Sequence, residues 1–152
     1  MPDDKLNEKA TLDVLNEILE LELAGVVRYL HYSLMVFGHA RIPIVAWMRK
    51  QSDEALAHAA AAGEHVTTLG GHPSLKIGKL LETQRHNIDE ILQEALEHEQ
   101  EGVARYRKLL ELAQGRSVML EEYARRMVHD EEFHVAELKK MLRPPGTLDA
   151  RR

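Results

Sequence analysis

The chain has 152 residues, enough for one domain around a single core and short for two. It contains no cysteine, so disulfides, thiolate zinc sites, iron–sulfur clusters and rubredoxin-type iron centres are excluded, and any metal must sit on oxygen and nitrogen. A formal charge of -5 with no broad basic footprint, no leader-like N-terminus and no membrane-length apolar run lead to the expectation of a soluble, cytoplasmic protein without nucleic-acid or membrane partners.

Leu, Ala, Glu, Arg and Lys dominate and no stretch keeps a period of two for long, so the chain reads as all-α. The first helix is expected over about 11–38, with Thr11 as N-cap and Gly38 at its end. The second, over about 43–70, opens on Pro43 in its first turn and closes at Gly70-Gly71. A third follows over about 83–114 and a fourth over about 117–143, stopped by Pro144-Pro145-Gly146, with a flexible tail over 144–152.

Short links make helices one and two, and three and four, antiparallel hairpins. The link from Gly71 to Glu82 is different. Extended, it could span the roughly 40 Å of the second helix. Two hairpins joined by one long crossover form a ferritin-like four-helix bundle, here expected without a fifth helix.

The two hairpins repeat at an offset of 77 residues, clearest in ELELAGVVRYL against EHEQEGVARYR. Glu22, Gly25 and Tyr29 correspond to Glu99, Gly102 and Tyr106, and Asp53-Glu54 to Asp130-Glu131. Helical periodicity places Glu22, Glu99 and Glu131 on otherwise apolar stripes, with Leu15, Leu19 and Val26 around Glu22, and Met127 and Leu138 around Glu131. Buried carboxylates need compensating charge, and no Lys or Arg lies on these stripes; two divalent cations would supply it. His134 follows Glu131 by three residues and His58 follows Glu54 by four, spacings that keep each pair on one face. Carboxylate with imidazole suits iron or manganese better than calcium, and the six residues Glu22, Glu54, His58, Glu99, Glu131 and His134 form the candidate ligand set. The remaining histidines, His98 among them, read as surface residues, with His65 a half-buried one.

The segments LELELAGVVRY, DEALAHA, GGHPSL, EHEQEG and HDEEFHVAEL resemble those of the bacterioferritins, within the ferritin-like superfamily, from Leu12 to Leu142. The resemblance matches Glu22, Glu99, Glu131 and His134 to metal ligands of that family and Tyr29 to a tyrosine beside the metals. It implies two iron ions per chain, oxidation of Fe(II) by oxygen or peroxide, and storage or release of the ferric product. The second helix departs from the family's Glu-x-x-His: counted back from His58, Ala55 stands where the glutamate is expected. Either Glu54 reaches the metals through a helix irregularity such as a π-bulge, or one bridging carboxylate is missing. The equal separation of Glu22 from Glu54 and of Glu99 from Glu131 favours the former. The family's haem-ligating methionine would fall near Ala55 or Leu56, so haem is not expected.

A ferroxidase is therefore the leading expectation. A peroxide-scavenging di-iron or di-manganese protein, and a helical assembly module with a structural metal, are the alternatives. Without a fifth helix the expected homo-oligomer is a dimer of side-by-side bundles or a small shell.

Overall fold

The computed structural model describes residues 5–148. Four helices follow one another: α1 (Glu8–Leu34), α2 (Arg41–Thr68), α3 (Ile88–Ala113) and α4 (Val118–Leu142). Capping side chains set their starts. Asn7, not Thr11, caps α1 by accepting from Ala10 N at 3.1 Å, and the Thr11 hydroxyl donates to Asn7 O inside the first turn. Asn87 caps α3 by accepting from Asp89 N and Glu90 N, so α3 starts later than the expected Thr83. Ser117 caps α4. The hairpin turns and the exit from α2 use glycines at positive φ, Gly38, Gly115 and Gly70, which a side chain would strain. Among the described residues no helix follows α4; the tail expected over 144–152 falls partly on 149–152, which lie outside them.

α1 packs along α2 and α3, and α3 along α4, whereas α2 and α4 approach each other far less closely. The core is divided in two. One apolar cluster joins Val14, Leu15 and Ile18 of α1 to Val66, Leu109 and Leu120 at one end. A second joins Tyr29, Tyr32, Met48, Ile91, Leu92 and Leu138 at the other. Between them each helix contributes polar residues, so α1 and α4 run one way through this layer and α2 and α3 the other. The crossover from α2 to α3 must then travel the length of the bundle, as the link length implied.

Its anchors are polar. Asn16 of α1 donates to His72 O at 3.2 Å and accepts from Ser74 N at 2.8 Å, and Gly78 N donates to Glu20 O at 2.9 Å. A Cβ at Gly78 would lie 3.1 Å from that carbonyl, so the crossover sits almost directly on the α1 backbone. At its end Thr83 donates to the buried Glu94 of α3 at 2.6 Å. No described helix is long and apolar enough to cross a membrane. Asn16→Ala removes two hydrogen bonds to the crossover and should destabilise the protein by about 1–3 kcal/mol, with faster proteolysis between 72 and 87. Urea unfolding and limited digestion measure both, and an unchanged midpoint with unchanged cleavage would show that the crossover is held elsewhere.

Candidate metal centre

The polar layer is built from all four helices. Glu22 of α1, Glu99 of α3 and Glu131 of α4 are 7%, 8% and 2% exposed, deep burial for carboxylates. His58 of α2 bridges two of them, its Nδ1 lying 3.4 Å from both Glu22 Oε2 and Glu131 Oε1. His134 Nδ1 lies 3.6 Å from Glu131 Oε2. The donor atoms form two groups, Glu22, His58 and Glu131 in one and Glu99, Glu131 and His134 in the other, each with its atoms within 4.8 Å of one another. Glu131 is common to both.

Five of the six expected ligands are thus brought together. Glu54 belongs to neither group: its side chain is 35% exposed and its Oε2 faces His134 Nε2 at 3.3 Å. The expected irregularity in α2 is absent, for Arg41–Thr68 is α-helical throughout. A regular helix with four-residue spacing sends His58 toward the carboxylates and leaves Glu54 a turn away, beside His134.

Two tyrosines, equivalent in the repeat, hold the carboxylates from behind. Tyr29 donates to Glu99 Oε1 at 2.6 Å and Tyr106 donates to Glu22 Oε1 at 3.1 Å, each reaching from one of α1 and α3 to the other. Tyr29 was expected near the site; the 77-residue repeat carried the same signal for Tyr106. His98, expected at the surface, is buried. It occupies a notch at Gly25, where a Cβ would meet its Nε2 at 3.0 Å, and its Nδ1 faces the buried Arg28 at 3.3 Å. Arg28 is occupied by Tyr32, His98 and the Glu94 carbonyl, so this cation near the layer is bound away from the three glutamates.

Burial raises the proton affinity of two of these carboxyls, and the neighbouring carboxylates raise that of both imidazoles. Burial raises the Glu22 carboxyl, against a hydrogen bond from His58. Burial also pushes Glu99 well up, and the neighbouring Glu131 adds to the rise. Burial of Glu131 is outweighed by the neighbouring Glu99, His134 and His58, which hold it below the usual carboxylate range. For His58 burial acts downward, but hydrogen bonds to Glu131 and Glu22 prevail and raise it to about 10. The facing Glu131 carboxylate likewise raises His134. Even so, Glu131 Oε2 is buried with no hydrogen-bond partner. An unsatisfied carboxylate oxygen costs a few kcal/mol, and a divalent cation between it and the facing imidazole would remove that penalty. Carboxylate and imidazole donors fit iron or manganese.

Solvent reaches this layer along the open α2–α4 seam. A groove of about 400 Å³ lined by Glu54, His58, Asp130, Phe133 and His134 lies directly over it.

The raised His58 stabilises the cation-free fold fully below pH 6.5, and this contribution is lost as the pH rises through about 10. Cation binding must displace these protons, so it strengthens with pH. Thermal melts should therefore show the metal-free protein weakening from pH 6 to 8 while the gain from saturating Mn(II) grows. A gain independent of pH would contradict the proton–cation exchange.

Comparison with known proteins agrees with this architecture. A ferritin-like domain model matches residues 12–144. The chain is similar to the ferritin-like, diiron-carboxylate proteins of Bacillus anthracis str. Ames, with a TM-score of 0.85 and 28% identity over 94% of this chain and 100% of that one. It also shares its fold with a dodecameric thioferritin, the bacterioferritin-related protein of Bacteroides fragilis, at a TM-score of 0.82 and 21% identity over 91% of this chain and 87% of that one. No curated protein matches the chain. The helix order, the bundle-length crossover and a family match over most of its length place the chain in the ferritin-like domain family.

Proposed function

We propose that the protein is a ferroxidase that binds two Fe(II) ions per chain and passes their electrons to oxygen or peroxide. The observation that carries this reading is Glu131, a buried carboxylate shared by two donor groups and left with an unpartnered oxygen. Glu22, His58, Glu99, Glu131 and His134 hold the ions in this account, and Glu54 stands beside His134 at the rim. The iron supplies the redox chemistry. The chain's own residues supply the rest: Tyr29 and Tyr106 keep Glu99 and Glu22 aimed inward, and Glu99 and His58 release protons as charge arrives. The groove over His58 and His134 supports turnover over a buried structural metal, since ions and a small oxidant can approach along it. Manganese suits the same donors, and a cytoplasmic setting belongs to the same proposal.

Metal-free protein given Fe(II) under nitrogen should bind about two ions per chain and develop ferric absorbance in air faster than buffer, while Glu131→Ala should lose most of both. Trace binding by the wild type, or oxidation no faster than buffer, would contradict the reading.

The same proposal includes a homo-oligomer, either a dimer or a small shell. Val27, Leu30 and Leu34 form an exposed apolar stripe along α1 that continues to Phe37, and Leu80 and Leu81 of the crossover flank Val27. An apolar face of this extent is unusual on a monomer. The Bacteroides relative is described as dodecameric, which supports closed assembly in this fold. Light scattering at micromolar protein should give a dimer or larger closed species, reduced in size by Leu30→Glu with Leu34→Glu; a monomeric wild type would contradict it.

A further inference from the structure

His134 stands between two carboxylates that serve it differently. Its Nδ1 faces Glu131 Oε2 at 3.6 Å, on the side of the buried donor group, while its Nε2 faces Glu54 Oε2 at 3.3 Å, on the side of the groove. An imidazole that binds a cation does so through one nitrogen and carries a hydrogen on the other. If Nδ1 ligates, Nε2–H is left pointing at Glu54, which is an acceptor well placed to receive it.

Glu54 itself is poorly placed to ligate. It belongs to neither donor group, it is the most exposed carboxylate of the set, and the regular α2 helix gives it no irregularity through which to turn inward. His58, four residues later, already takes α2's place against Glu22 and Glu131. Ala55, where the repeat of Glu-x-x-His would put a carboxylate, is a buried methyl group beside Gly25 and so offers no donor.

We propose that Glu54 is a positioning residue for His134: it accepts the Nε2–H hydrogen bond and so fixes the ring with Nδ1 aimed at the cation, leaving Glu131 as the one carboxylate common to both cations. Carboxylates behind ligating imidazoles do this in many metal sites, setting the ring's tautomer and raising its basicity.

This inference rests on the metal reading, and Co(II) separates the two. Co(II) is a spectroscopic probe that accepts the same donors. The full chain, Glu54→Gln and Glu54→Ala are titrated with Co(II), following visible absorption and the hyperfine-shifted, exchangeable imidazole N–H proton resonance that disappears in His134→Ala. Gln keeps an oxygen acceptor for Nε2–H but offers no anionic ligand. All three proteins should bind two Co(II) per chain. Affinity should be little changed in Glu54→Gln and about 10–100-fold weaker in Glu54→Ala. The His134 N–H resonance should persist in Glu54→Gln and exchange faster with solvent in Glu54→Ala. Loss of one Co(II) in both variants would show that Glu54 is a ligand and overturn the assignment, as would an N–H resonance and affinity unaffected by either change. A wild type that binds no Co(II) would defeat the metal reading and this assignment with it.

Discussion

Three glutamates are buried in the middle of a helical bundle where, among the described residues, no lysine or arginine pairs with them, and most of the structure is arranged around that electrostatic problem. Removing an unpaired carboxylate from water costs several kcal/mol, so the layer cannot be accounted for by packing alone. The two apolar clusters lie on either side of it and supply the stability that the layer itself does not. Burial raises the proton affinity of Glu99, and the neighbouring carboxylates raise that of His58 and His134, so protons and cations compete for this layer. Among the described residues, the buried carboxylate oxygen left without a hydrogen bond belongs to the residue that both donor groups share.

The helical repeat explains how such a layer can be specified. Each hairpin presents a glutamate from its first helix and a tyrosine two turns further along, and the tyrosine of one half secures the glutamate of the other. This cross-bracing needs α1 and α3 in contact, which they are, and it leaves the opposite seam between α2 and α4 unobstructed. The histidines stand on that open side. Exchangeable ligands and access are therefore on one flank, and rigid supports on the other.

The parts of this arrangement visible in the amino-acid sequence are those set by period and repeat. Glu22, Glu99 and Glu131 stand out as interruptions of apolar stripes, and the bundle-length crossover follows from counting residues between helices. The function of Tyr106 was encoded too, in its equivalence with Tyr29. Other features depend on contacts between distant segments and leave no periodic trace. His98 and Arg28 are polar residues buried by bonding to each other, to Tyr32 and to the Glu94 backbone, and a hydropathy pattern assigns such residues to the surface. The position of Glu54 depends on whether α2 stays regular, which spacing by itself left open between two answers. The start of α3, expected near 83, falls later because Thr83, in the crossover, donates its hydroxyl to Glu94 and Asn87 caps the helix.

A crystal of the protein soaked anaerobically in Fe(II) and measured on both sides of the iron absorption edge gives the most direct test of the central claim. The account predicts two anomalous peaks per chain, one beside each carboxylate oxygen of Glu131, the first in reach of Glu22 and His58 and the second of Glu99 and His134. An empty layer, or iron held only by surface carboxylates, would contradict it.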